Sequence, residues 1–214
     1  MMLMSETLFT ANNRFSVKIG VMKSVVIKPL LFLLCLLPLA MIAWSGWQGG
    51  LGANPIEALS HRTGDWALRF LLITLAVTPL VKLFGWSWLM RLRRILGLFC
   101  FFYATLHMAN YVVLDQFFAW SEIIADVIKR PYITVGLATY LLLLPLAVTS
   151  TNAMMRRLGK RWKQLHSLIY PASMLAVIHF LWLVKADLRE PMIYGMILLL
   201  LLGYRLIFRQ QKKL

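Results

Sequence analysis

Negative charge is what this chain has least of: eight Asp and Glu stand against 23 Lys and Arg, and charged residues of both signs fill only 14% of its 214 positions. A soluble domain carries about a quarter charged residues, so a water-facing surface is excluded for most of the chain. Cysteine is nearly absent as well. Cys35 and Cys100 both lie in apolar runs, which excludes a disulfide framework or a cysteine metal site and leaves them as small buried hydrophobes. There is no HExxH helix and no acid placed beside an intramembrane histidine, so zinc hydrolysis lacks its apparatus.

What is abundant is apolar: 60% of the residues are hydrophobic, in runs long enough to cross the roughly 30 Å hydrocarbon core as helices of about 20 residues. The runs predict an all-α polytopic bundle of six transmembrane helices, near 25–44, 66–83, 95–114, 132–148, 165–184 and 192–208. The first run is long and lacks a clear cleavage site, so it reads as a retained anchor rather than a signal peptide. The domain reading is a cytoplasmic segment over 1–24, one membrane domain over 25–208 and a cytoplasmic tail over 209–214. Connecting loops are short, and GWQGGLGANP is an irregular one.

The formal charge of +15 would suggest nucleic acid in a soluble protein, but its placement fits topology instead. One side collects 17 basic residues: Arg14, Lys18, Lys23 and Lys28; Lys82, Arg91, Arg93 and Arg94; Arg156, Arg157, Lys160, Arg161 and Lys163; Arg205, Arg209, Lys212 and Lys213. The other side carries six, Arg62, Arg69, Lys129, Arg130, Lys185 and Arg189, together with seven of the eight acids. Both termini are therefore expected in the cytoplasm. The basic inner face can also meet anionic membrane lipid.

Three of the four histidines, His107, His166 and His179, fall within predicted spans, where ionisable groups are costly and usually functional. The third and fifth spans both run from the inner face outward. His107 lies 13 residues beyond Arg94, and His179 lies 13 beyond His166 and 16 beyond Lys163. At helical rise each sits about 20 to 24 Å above the inner basic belt, so the two are level. Level imidazoles on two helices suit the two axial positions of a haem iron held between them, an arrangement that favours electron transfer over oxygen binding.

His166 lies near the inner surface, with Arg94 at the matching depth on the third span. Arginine does not ligate iron, so His166 is left with several readings: a further haem, a quinone or flavin contact, or a structural hydrogen bond. His61 falls in the expected outer loop and is read as a surface or loop residue. Arg62 and Arg69 are positioned for haem propionates or for headgroups. The rival class is a proton-coupled or small-molecule transporter using the same histidines. Such coupling often uses buried carboxylates, and all seven outer acids are expected at helix ends.

Six helices with histidines on the third and fifth resemble the ferric reductase-like transmembrane domain shared with NADPH oxidases. The likeness is closest to its MsrQ (YedZ) branch. It is carried by GGLGANPIEALSHRTGDWALRF, RLRRILGLFCFFYATLH, RPYITVG, LAVTSTNAMMRRLGKRWKQLHSLIY and IHFLWLVK. The resemblance implies a multi-pass subunit of the bacterial inner membrane that holds haem b on His107 and His179. It extends a cofactor role to His166, and it associates FMN with the subunit. It further implies electrons drawn from the quinone pool or a cytoplasmic flavin reductase and passed to a periplasmic molybdopterin-containing methionine sulfoxide reductase that repairs oxidised proteins. The chain itself would then carry electrons without being the catalytic subunit.

Overall fold

The computed structural model describes residues 26–184 and 187–211, with side chains described as far as 207. The predicted segment 1–24, Lys185 and residues 212–214 lie outside the described residues. Every regular element among the described residues is helical, and six helices are long and apolar enough to cross a membrane. The chain divides into two compact units, Met1–Met41 and Ile42–Leu214. Helix α1, Val26–Trp47, begins in the first and ends in the second.

The second unit holds α2 (Pro55–Phe84), α3 (Arg93–Ala109), α4 (Trp120–Lys129), α5 (Pro131–Val148), α6 (Asn152–Leu158), α7 (Lys160–His166), α8 (Ile169–Leu183) and α9 (Arg189–Gln211). The fifth span is α7 and α8 together, joined at Ser167 and Leu168. Helices α2 and α3 pack closely along their lengths, as do α5 and α8. Contacts of α3 with α5 and of α2 with α8 join the pairs, while α9 packs on α8 and α2.

The second span starts eleven residues earlier than expected, at Pro55 rather than Trp66. SHRTGD reads as a polar loop, but the helix start is already encoded upstream. Asn54 accepts from the Glu57 backbone N–H at 3.3 Å and donates to the Glu57 carboxylate at 3.0 Å, with Pro55 at the first helical position. That is a side-chain N-cap with a preorganised first turn. His61 and Asp65 therefore lie on α2, correcting the loop reading of the first and the helix-end reading of the second. At its other end α2 stops at Gly85, whose φ of 72° closes a left-handed cap onto the Val81 carbonyl.

The third connection is also richer than expected. After His107 the last turn of α3 widens into a π-helical turn over Asn110–Asp115, and the amphipathic α4 follows. Helix α4 exposes Trp120, Ile124 and Ile128 beside Phe117 and Phe118, the marks of a helix lying in the membrane interface. Asp126 ties this segment down, accepting from Tyr111 at 3.1 Å and pairing with Arg130 at 3.2 Å.

Between α2 and α3 the core is aromatic: Phe70 stacks on Tyr103 with centroids 5.4 Å apart and meets Phe99 at 5.9 Å. Several threonine hydroxyls inside the spans are satisfied by their own helix. The hydroxyls of Thr63, Thr74, Thr105, Thr139 and Thr149 each donate to the carbonyl four residues earlier, at 2.6 to 2.9 Å. Helix α9 is held at both ends by arginine. Arg69 donates to Tyr194 at 2.9 Å, and Arg205 donates to Tyr170 and to the Leu75 carbonyl, each at 2.6 Å.

Candidate functional site

Helices α2, α3, α5 and α8 enclose a cavity of about 480 Å³. That lies in the range of roughly 300 to 1,000 Å³ typical of cofactor pockets. Its deeper wall is apolar, with Leu68, Leu71, Cys100, Leu143 and Ala176. Its mouth is polar, with Asn54, Glu57, His61, Asp65, Asp115 and Arg130. An apolar slot closed by two imidazoles fits a flat, largely apolar ring. Arg130 is the cation at that mouth; hydrogen bonding to Tyr132 and then the charge of Asp126 hold it even more firmly protonated than usual. Arg62 and Arg69 do not line the cavity. Arg62 reaches the Gly50 carbonyl at 3.5 Å, and Arg69 lies over the Trp66 ring while bonded to Tyr194 on α9.

Two imidazoles enter the cavity from opposite sides, His107 from α3 and His179 from α8. Their ring centres are 6.1 Å apart and their planes turned 73° from each other. An atom bonded to one nitrogen of each ring at about 2 Å, with about 1.1 Å from nitrogen to ring centre, would set the centres about 6 Å apart. The pair therefore fits a single iron between them.

Protonation follows from the partners. His107 Nδ1–H donates to the Ser60 carbonyl at 2.9 Å, and His179 Nδ1–H donates to the Tyr132 carbonyl at 2.7 Å. A carbonyl only accepts, so in each neutral ring the proton sits on Nδ1 and the lone pair on Nε2. A backbone carbonyl bonded to the far nitrogen is the usual support of a metal-ligating imidazole. Beyond His107, Asn110 donates to the Ile56 carbonyl and the Ser60 hydroxyl, at 3.0 and 2.9 Å, pinning the start of the π turn to α2. Among the described residues no cluster of three or more His, Cys, Asp or Glu is placed to hold a metal ion.

His166 is not brought to this pair. It closes α7, with Nε2 3.1 Å from the Thr149 hydroxyl and its ring stacked on Trp162 at 3.9 Å. The Thr149 hydroxyl proton goes to the Pro145 carbonyl at 2.6 Å, so His166 Nε2 is the donor in the shared bond. Trp162 Nε1–H in turn donates to the Thr149 carbonyl at 3.0 Å. Arg94, level with His166 in the sequence reading, instead bonds Asn152 at 2.7 Å. His61 lies in the second turn of α2, exposed, 3.7 Å from Glu57.

Sequence reasoning missed Ser60 and Tyr132, which act through backbone atoms that carry no side-chain signature. Arg130 stood in the basic count without a role.

The model for ferric reductase like transmembrane components matches residues 63–177, a stretch that includes His107 and ends two residues before His179. The chain is similar to the protein-methionine-sulfoxide reductase heme-binding subunit MsrQ of Xanthomonas oryzae pv. oryzae (strain MAFF 311018), 54% identical over 187 residues, covering 85% of this chain and 86% of that one. It is also similar to the subunit of the same name from Rhodospirillum rubrum, 56% identical over 177 residues, covering 82% and 85%. No solved structure matches significantly.

Proposed function

The chain belongs to the MsrQ family of ferric reductase-like membrane subunits, and on that footing we propose that it is the haem-holding electron-transfer subunit of a methionine sulfoxide reductase system. The single observation that carries the reading is the imidazole pair 6.1 Å apart across the cavity, each ring fixed by a backbone carbonyl. His107 and His179 would hold the iron through Nε2, and a bis-imidazole haem of b type supplies one-electron transfer without an open position for oxygen.

The protein's own part is to fix and to shield. Ser60 and Tyr132 hold both rings in one tautomer, the apolar wall of Leu68, Leu71 and Leu143 keeps water from the deep side, and Arg130 meets acid groups at the mouth. With 17 basic residues on the opposite side, the mouth faces outward and both termini lie in the cytoplasm of a bacterium, in its inner membrane. The 25–208 stretch then acts as one membrane domain. Electrons enter from the quinone pool or a cytoplasmic flavin reductase and leave to a periplasmic molybdopterin-dependent reductase that repairs oxidised methionine. The catalytic step belongs to that partner. The family resemblance associates FMN with this subunit; His166, beside Trp162 and Thr149, is the residue through which a second cofactor would be felt.

Oxidised and dithionite-reduced visible spectra of the haem-supplied protein in detergent test this directly. A b-type Soret and α-band are expected, and His107→Ala or His179→Ala should each remove the low-spin signal because both ligands are needed for six-coordination. Spectra without these bands in the wild type would overturn the reading, and a low-spin signal surviving in either variant would overturn the pairing.

A further inference from the structure

Both ligand imidazoles dock in the same way, and at both places the docking helix has a glycine four residues after the accepting carbonyl. His107 bonds the Ser60 carbonyl of α2, where Gly64 follows; His179 bonds the Tyr132 carbonyl of α5, where Gly136 follows. In a regular helix the carbonyl of residue i already faces the N–H of residue i+4, and the side chain of residue i+4 stands beside it. This protein shows the consequence repeatedly, since four threonines on its spanning helices, and Thr149 capping another, place their hydroxyls on the carbonyl four residues back. The outer side of an in-helix carbonyl is thus ordinarily covered by its own helix.

Glycine uncovers it. A Cβ built on Gly136 would lie 2.8 Å from His179 Cε1 and 2.9 Å from its Nδ1, closer than real Cβ atoms come. A Cβ on Gly64 would lie 3.2 Å from His107 Nδ1 and 3.3 Å from its Cε1, tight but not prohibitive. The neighbouring glycines in the spans are different: a Cβ on Gly97 would meet only Thr74 Cγ2 at 3.7 Å, and one on Gly195 only Val177 Cγ1 at 3.7 Å.

We infer that Gly64 and Gly136 are positioning residues, paired notches that let an imidazole from another helix take an in-helix carbonyl and so fix its tautomer and set Nε2 toward its partner across the cavity. The inference rests on the haem reading of His107 and His179. It adds an asymmetry, because the α5 notch tolerates no Cβ whereas the α2 notch tolerates one with a small displacement of the ring.

The test compares Gly136→Ala, Gly64→Ala and the control Gly97→Ala in haem-supplied protein, by visible and electron paramagnetic resonance spectra and redox titration. Gly97→Ala should match the wild type. Gly64→Ala should stay six-coordinate with shifted g values and midpoint potential. Gly136→Ala should lose the low-spin signal, and added imidazole should restore it by filling the position that His179 vacates. Imidazole rescue separates displacement of one ring from a general failure to fold, which it would not repair. If Gly136→Ala proves too unstable to purify, the shifts in Gly64→Ala carry the decision. Wild-type spectra and potential in both notch variants would overturn the proposal while leaving the haem reading standing; a wild type with no low-spin signal would overturn the haem reading itself.

Discussion

His166 shows how far a single residue's surroundings can be read. Its Nε2–H is committed to Thr149 and its face to Trp162, which together fasten α7 to the end of α5. Removing the side chain forfeits a hydrogen bond and a stacked contact, about 1 to 2 kcal/mol. His166→Ala is therefore expected to lower the thermal midpoint in detergent while leaving the low-spin signal of His107 and His179 unchanged. Potentiometric titration of the same variant addresses its cofactor role, since the disappearance of a separate redox step would assign one. At this scale His107 and His179 were legible from the sequence because histidine is rare in it and helical rise converts residue number to depth. Their carbonyl partners were not, because Ser60 and Tyr132 lie 47 residues away from them in the chain and contribute only backbone oxygen. The same holds for Gly64 and Gly136, whose meaning exists only once another helix has packed against them.

Among the elements, α2 is the one on which the site depends most, since it supplies Ser60, Gly64 and the polar mouth. Its first turns read as a loop because SHRTGD is polar, yet Asn54, Pro55 and Glu57 form a start signal that places them in the helix. Helix α4 was equally readable from Trp120, Ile123, Ile124, Val127 and Ile128 at helical spacing, but its ten residues are too few to cross the bilayer and it was passed over as loop. The Asn54 N-cap gives a direct expectation: Asn54→Ala should destabilise the first turns of α2 by about 1 kcal/mol. Hydrogen exchange should then quicken around Ser60 with little change near Val77. Helix α9 offers a second. Arg205→Ala leaves the Leu75 carbonyl and Tyr170 hydroxyl without their donor, at a cost of about 1.5 to 3 kcal/mol. A drop in thermal midpoint with the low-spin spectrum retained would place Arg205 among the supports of the fold.

For the whole molecule, the six-span, all-helical architecture was fully legible, because hydropathy over about 20 residues is the physical requirement for insertion itself. The pairing of helices was not, since an apolar face turned to lipid and one turned to a neighbour look alike in sequence. Orientation rests on the distribution of basic residues and has its own measurement. Single cysteines at Glu122 and Lys129 on α4 should be modified by an impermeant thiol reagent added to spheroplasts. Cysteines at Arg156 and Arg161 should react only after the membrane is opened, and the reverse pattern would invert the topology. Cys100, fully enclosed beside the cavity, should stay silent in both cases.

The π-helical turn over Asn110–Asp115 sits between His107 and the interfacial α4. Such a turn spans one more residue than an α turn, its bonds reaching i+5 instead of i+4. In evolutionary terms it is a length buffer. A single-residue insertion or deletion in the outer connection can be absorbed by widening or tightening this one turn, while Asn110, held to Ile56 and Ser60, keeps the ligand's register against α2. The segment beyond the turn is thus free to change in length without moving His107.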